Sequence, residues 1–357
     1  MTEKKDTGLQ SGLERWLAGQ DRVGQYFMKY MDRFIFDELS PSHLAKEGLG
    51  SFMKNVPVPF REEDLAAFKE KGGLKITSIL SNMAWVLGIH PDFMYADEYK
   101  KYIDHYFDDR LAAALVGEAA GEMEKQNLDS AFIHFRAALV LYPDYKDALF
   151  GYAGVCRSIY LNREGDEDRS EEYVGRFKAE SMETFERLTV LYPEFDRPFY
   201  YLGYAYLNMG LYKKAELTWK EYLKLAKGPN STCEEGGAEA IEEIEERVRQ
   251  LQEPIRIEEG CNCVLSGRFR DGIEILKPFL ETDYKHWWPL FYYLGIAYGK
   301  LGECNRAIEL LKEALVQEPS QTDCMEELIL VCREAGRDDL AEKYENKLKL
   351  IQSQRAQ

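Results

Sequence analysis

Several things are missing from this 357-residue chain, and each absence narrows its role. No run of eighteen apolar residues occurs, so no transmembrane helix is expected. The opening MTEKKDTGLQSGLERW has charge with no apolar stretch behind it, so no secretory signal is expected either. GxxxxGK[ST], GxGxxG after a strand, HExxH and paired CxxC motifs at zinc spacing are all lacking. With them go the usual sequence grounds for nucleotide, dinucleotide and zinc chemistry. None of the five histidines stands with a Ser or Cys nucleophile in a recognisable local motif. Positive charge is in short supply: 46 Lys and Arg face 63 Asp and Glu, a net charge of −17. Residues 1–108 carry −3 of this and the remainder −14. Such a field repels phosphate backbones and anionic lipid. Nucleic acid is therefore disfavoured, no membrane partner is expected, and a basic or apolar protein segment is the easier partner.

Seven cysteines are scattered, and Cys156, Cys263, Cys304 and Cys332 fall within helical patterns. This reads as reduced thiols in a cytoplasmic protein rather than a disulfide framework. Cys261 and Cys263 form the nearest approach to a metal pair, but residues i and i+2 of a helix point apart, and packing explains Cys263 better. DHYFDD at 104–109 groups Asp104, His105, Asp108 and Asp109, which reads first as solvated charge at a helix end and second as a cation site. DEDRSEE at 166–172 fails as a calcium loop, because Glu171 stands at the glycine position and Phe177 at the closing glutamate. No cofactor, metal or catalytic residue is expected.

The chain does contain a repeated phrase. FYYLGYAYLNMG at 199–210 returns as FYYLGIAYGKLG at 291–302. Phe199, Leu202, Gly203 and Tyr206 have i, i+3, i+4, i+7 spacing, one face of a helix. Gly210 permits a turn, and Ala215, Trp219 and Tyr222 mark the inner face of a second helix. The second copy reads Phe291, Leu294, Gly295, Tyr298, Gly302, Ala307, Leu311, Ala314, Pro319. This pattern resembles the tetratricopeptide repeat (TPR) family. Weaker copies hold Ala131, Phe135, Ala138 and Pro143; Leu149 to Pro193; Gly260 to Leu276; and Leu328 to Leu348. The resemblance covers about residues 110–355. It implies an all-α fold, a TPR-type helical-hairpin solenoid of about six repeats in two lobes, preceded by a small helical N-terminal domain.

Two departures from the 34-residue period stand out. In the repeat starting at Leu149 the expected alanine position is met only at Ser181, sixteen residues late. Both helices of that hairpin are expected to be longer by about two turns, roughly 12 Å, with an acidic tip at 162–169. This hairpin, around 162–173, reads first as a tolerated surface extension and second as a docking element. The other departure is residues 230–253, where Ile241, Ile244, Val248 and Leu251 make one apolar stripe ending before Pro254. The expected organisation is 1–108, a helical N-terminal domain; 110–229, a first lobe of three repeats; 230–253, a capping or bridging helix; and 254–357, a second lobe with a polar cap.

In the first 108 residues, 22–38 read as a helix with a wide apolar face, NVPVPF at 55–60 as an extended linker, and REEDLAAFKEK as a short helix. Further helices are expected at 74–88 and 95–107. The segment from Ile76 to Met94 faintly resembles a helix-turn-helix, but the following helix carries two lysines against five acids, where a recognition helix needs cations. In HWWPLFYY, Trp287 and Trp288 read equally as an exposed anchor or as packing at a helix start.

The family resemblance implies a concave face built from the first helix of each repeat. It places Phe150, Gly154, Arg157, Arg197, Tyr200, Tyr204, Leu207 and Asn208 there in the first lobe. In the second lobe it places Ile257, Cys261, Val264, Tyr292, Ile296 and Lys300. The Lys-Asn pattern that many family members use to clamp a terminal carboxylate is absent. The expected function is a cytoplasmic, non-enzymatic scaffold or adaptor that binds a protein segment of apolar or basic character, with self-association a further expectation. Two other readings are a regulator whose helical N-terminal domain contacts nucleic acid, and an enzyme with a site between the N-terminal domain and the solenoid.

Overall fold

A computed structural model describes residues 11–62, 76–107, 110–162, 171–229, 231 and 237–355. After a short α1 (Gly12–Leu17), two strands, β1 (Ile35–Glu38) and β2 (Pro57–Phe60), flank α2 (Pro41–Lys46). Helices follow almost without interruption: α3 (Ile76–Ile89), α4 (Ala96–Tyr106), α5 (Arg110–Glu124), α6 (Leu128–Leu141), α7 (Lys146–Leu161), α8 (Glu171–Leu191), α9 (Arg197–Asn208) and α10 (Tyr212–Ala226). Then come α11 (Gly237–Gln250), α12 (Gln252–Leu265), α13 (Phe269–Leu276), α14 (Trp288–Lys300), α15 (Cys304–Gln317), α16 (Thr322–Glu334) and α17 (Asp338–Arg355). The chain divides into two compact units, Met1–Ala205 with Glu221–Gly237, and Tyr206–Lys220 with Ala238–Gln357. The division runs through α9 and α10.

Five helix-to-helix turns share one hydrogen-bond pattern. After α9, α12, α14 and α16, a glycine (Gly210, Gly267, Gly302, Gly336) sits at φ between 68° and 82°. The next amide then bonds back to a carbonyl of the preceding helix: Leu211 to Tyr206 at 3.0 Å, Arg268 to Cys263 at 2.8 Å, Glu303 to Tyr298 at 2.9 Å and Arg337 to Cys332 at 2.8 Å. This is a Schellman-type stop, which favours glycine because the left-handed conformation crowds a Cβ. After α5 the same bond runs from Asn127 to Glu122 at 2.9 Å, but Gln126 takes the left-handed position, at φ 60°.

In the first unit α6 is buried along nearly its whole circumference, from Ser130 to Val140. A helix with no wet face must be covered on all sides. Two covers come from its own hairpin partner α5 and from α7, and a third is α3. Gly88 of α3 lies so close that a Cβ there would stand 2.4 Å from the Ile133 carbonyl oxygen. The N-terminal segment supplies the remainder: Val23 and Phe27 are buried, and Phe27 stacks on Phe132 at 3.9 Å.

That segment corrects the expected helix over 22–38. It forms two 3-10 turns, Gly24–Tyr26 and Met28–Arg33, and then enters β1. The Asp21 carboxylate accepts from the Gly24 amide at 2.8 Å and pairs with buried Arg136. Residues 57–60 are likewise more than a linker, since β2 pairs antiparallel with β1, from Ile35 opposite Phe60 to Glu38 opposite Pro57. The expected helix in REEDLAAFKEK lies outside the described residues from position 63 onward.

The hairpin of α7 and α8 is longer than its successor. Helix α7 has 16 residues against 12 in α9, about one turn more rather than two. Helix α8 has 21 against 15 in α10. Residues 163–169 of the expected acidic tip lie outside the described residues. Inside it, Tyr173 and Phe177 are buried against Tyr26 of the N-terminal segment, at 4.6 and 5.8 Å between ring centroids. The added turns of α8 therefore pack against the chain's own beginning.

In the second unit, α12–α17 form three successive hairpins around one core that includes Leu276, Leu290, Leu294, Leu311, Leu328 and Cys332. Gly295 lets α15 approach, since a Cβ there would meet Leu311 at 2.7 Å. Helix α13 is short because Pro278, which lacks an N–H, turns the chain into a 3-10 segment, Lys277–Glu281. Helix α11 buries Ile244 from the expected stripe, and Pro254 stands in the first turn of α12, where its missing N–H costs nothing.

Candidate partner-binding face

First helices of successive repeats lie side by side: α5 beside α7 in the first unit, and α12, α14 and α16 in the second. On the first unit's side, Phe150 of α7 is half-buried among the rings of Phe185, Phe195 and Tyr201, at 6.0, 5.2 and 6.0 Å. The Arg157 guanidinium lies 5.3 Å over the Tyr201 ring, and that of Arg197 lies 5.9 Å over Phe150. Gly154, one turn beyond Phe150, borders open space: a Cβ there would meet nothing within 4 Å.

Phe150, Arg157 and Arg197 are thus brought together as the sequence suggested. The ring that joins them is Tyr201, which sequence reasoning left out. Tyr201 stacks on Phe185 of the preceding hairpin at 5.3 Å and 15°. The helical pattern had assigned Phe199 inward and Tyr200 outward, but a second aromatic at the next position is the signal for a contact with the previous repeat. Tyr200 and Tyr204 form an adjacent group, 5.3 Å apart, with Tyr222 of α10 at 5.4 Å from Tyr200. Both are half-buried. Asn208, the last residue of α9, is exposed and belongs to the second unit.

In the second unit Tyr292 and Ile296 are half-buried on α14, packed against the core. Burial, followed by the nearby carboxylates Asp323 and Glu327, pushes the Tyr292 hydroxyl up to about 12. Trp288 packs on Tyr292 at 5.9 Å, while Trp287 stays partly exposed. The Lys300 ammonium pairs with Glu327 of α16 at 3.2 Å. Ile257, Cys261 and Val264 are corrections: all three are buried in the core rather than on a groove. Burial pushes the Cys261 and Cys324 thiols up to about 12, so at neutral pH they are packing groups rather than nucleophiles. Among the described residues no group of three His, Cys, Asp or Glu side chains is placed to hold a metal ion.

The family model for the tetratricopeptide repeat matches residues 292–355, the segment whose hairpins and glycine turn have just been described. Residues 292–355 are a tetratricopeptide-repeat segment. Among solved structures, MamA from Desulfovibrio magneticus RS-1 (residue 41 to its end) is 15% identical, covering 57% of this chain and 96% of its own, with a TM-score of 0.32. PilW, described as a widely conserved type IV pilus biogenesis factor, is 14% identical over 68% of this chain and 93% of its own, with a TM-score of 0.30. PilF of Pseudomonas aeruginosa gives 14%, 68%, 92% and 0.30. No curated protein matches the chain. Tetratricopeptide-repeat proteins as a class bind protein partners, and a protein-interaction scaffold is the general role this frame supports. No helix among its described residues is long and apolar enough to cross a membrane.

The first unit also packs the N-terminal segment into its core. Trp16 is buried against Tyr152 at 5.6 Å, and its indole N–H donates to Glu180 at 3.4 Å. The fully buried Glu180 also accepts from the Tyr152 hydroxyl at 3.0 Å and from Arg15 at 3.4 Å. Arg136 lies 4.4 Å over the Trp16 ring and pairs with Asp21. None of these residues was singled out from the sequence; the signal was an Arg and a Glu placed on the apolar inner faces of α6 and α8.

Proposed function

We propose that this chain is a cytoplasmic, non-enzymatic tetratricopeptide-repeat scaffold that holds an apolar or basic segment of a partner protein on its first-helix face. In the first unit Phe150, Arg157, Arg197, Tyr200 and Tyr204 form the docking surface, with Tyr201 added to them. In the second unit Asn208, Tyr292, Ile296 and Lys300 do so. The observation that carries this reading is the half-buried row Phe150, Tyr201, Tyr200 and Tyr204 beside the open space at Gly154. Large rings held by their neighbours lose little freedom on binding and are the usual anchors of an interface. The net charge of −17 favours a basic segment over an acidic one.

The test is capture of partners from the native lysate by the full chain, by a Tyr200→Ala/Tyr204→Ala variant and by Gly154→Gln. The last fills the open space without touching a buried ring. Loss of the same partner in both variants, with thermal unfolding of Gly154→Gln no lower than that of the parent, supports the surface. Undiminished capture by both rejects it.

A further inference from the structure

The sheet of β1 and β2 has two edges, and the chain treats them differently. Strand β2 contains Pro57 and Pro59, which have no N–H to give. The ladder is therefore made by the residues between and after them: Val58 exchanges bonds with Asp37, and Phe60 with Ile35. Pro57 and Pro59 turn their backbone away from β1. Their carbonyls are taken by side chains, that of Pro57 by the Tyr99 hydroxyl at 2.6 Å and that of Pro59 by the Asn82 amide at 3.1 Å. Proline and side-chain caps close that edge to a further strand.

The β1 edge has neither device. By the same alternation, Phe36 and Glu38 turn their N–H and C=O groups away from β2. The Phe36 N–H and carbonyl bond to no other described residue. The Glu38 N–H is held only by the neighbouring Asp37 side chain, at 2.8 Å. Ile35 is 50% exposed, and Asp37 and Glu38 are exposed as well. Neither carboxylate makes an ion pair with a described residue. Phe36 is half-buried, with Phe34 at 6.4 Å and Phe93 at 5.7 Å between ring centroids, so a fixed apolar ring stands beside the open backbone.

We propose that β1 is a docking edge for an extended segment of a partner protein, which adds a third strand to the sheet. The pattern of that segment follows from cross-strand pairing. Two adjacent β-branched apolar residues stand opposite Ile35 and Phe36. Two adjacent lysines or arginines stand opposite Asp37 and Glu38. Phe36 and Glu38 supply the backbone bonds, and the Asp37 carboxylate releases the Glu38 N–H to meet a cation instead. A second copy of this chain fits the edge worse, because it brings the same two acids and a net charge of −17. The edge shares no residue with the first-helix face, so either site can fail without the other.

The probes are the capped peptide acetyl-Ser-Arg-Lys-Val-Ile-Thr-amide and its reversed order, acetyl-Thr-Ile-Val-Lys-Arg-Ser-amide, for the two strand directions. Each is titrated into the full chain labelled at its phenylalanine amide nitrogens, with the Phe36 signal assigned by Phe36→Leu. At least one peptide is expected to shift the Phe36 amide saturably and leave that of Phe150 in place. Replacing its Arg and Lys by Glu should weaken binding by about tenfold or more, and so should Asp37→Asn/Glu38→Gln. Both positions are exposed, so the amide variant keeps the fold. Methylating the backbone nitrogens of one alternate set of peptide residues should abolish binding, and methylating the other set should spare it, because only one set faces β1. Any one of these results overturns the proposal: no Phe36 shift with either peptide at about 2 mM, equal binding of the Glu-bearing form, full affinity in Asp37→Asn/Glu38→Gln, or equal binding of the two methylated forms. A Phe36 shift that grows with chain concentration in the absence of peptide also overturns it, and makes a second copy the occupant.

Discussion

The rings of Phe27 and Phe132 lie face to face, 3.9 Å between centroids and 7° from parallel. One ring lies between two 3-10 turns, the other on the second helix of the first hairpin. Both are buried. The stack makes the N-terminal segment part of the first unit's core.

Truncating Phe27 to Ala removes that ring and leaves a cavity lined by Phe132 and Phe177, so a loss of about 3–5 kcal/mol is expected in urea unfolding of the full chain. Proteolysis within residues 11–34 should quicken by a similar factor. A loss below about 1 kcal/mol would show that the segment adds little to the unit's stability.

The repeats were legible because their signals are local. Gly295 needs to be small where Leu311 arrives, and Gly302 must turn left-handed; each fact is fixed within seventeen residues of sequence. The N-terminal segment was not legible because its conformation is set from far away. Val23, Tyr26, Phe27, Tyr30, Met31 and Phe34 are spaced for a helix, yet Arg136 and Phe132, more than a hundred residues on, hold Asp21 and Phe27 in another shape. The candidate face shows the same division. Phe150 and Arg157 follow from helical spacing, whereas Tyr201 is drawn in by Phe185 of the preceding hairpin.

Gln126 holds a conformation that four equivalent turns assign to glycine. Its side chain contributes only a long 3.5 Å bond to the Met123 carbonyl. Relieving the left-handed strain is worth about 1 kcal/mol, less the added flexibility of glycine in the unfolded chain. Gln126→Gly is therefore expected to raise the urea midpoint with an unchanged denaturant slope. A lowered midpoint would mean that the side chain stabilises the turn more than the strain opposes it.

Gly151 and Gly154 stand one turn apart on α7 and respond oppositely to the same change. A Cβ at Gly151 would lie 2.1 Å from the buried Phe135 ring, while one at Gly154 meets nothing. Gly151→Ala forces the ring aside and is expected to cost about 1–3 kcal/mol. Gly154→Ala gains helix propensity and is expected to stabilise by about 0.5–1 kcal/mol. Thermal unfolding of the two variants checks the sign of each, and equal shifts would contradict the packing described for α7.

Glu216 sets the acid limit of the second unit. It is 3% exposed and accepts from Lys213 at 2.8 Å, Lys220 at 2.7 Å and Gln252 of α12 at 3.3 Å. Burial acts to raise its pKa, but the three donors outweigh it and hold the carboxyl at about 2, below the ordinary 4.5. The folded value lies below the unfolded one. The stabilisation is therefore complete above about pH 4.5 and drains away as pH falls through 2. Both lysines are more than half exposed, so water screens the pairs and about 2 kcal/mol is expected from the group at neutral pH. Glu216→Gln should be less stable than the parent by that amount at pH 7, and the two should converge as the pH approaches 2. Stability curves that stay parallel from pH 7 to 2 would show that the lysines do not hold the carboxylate in its charged form.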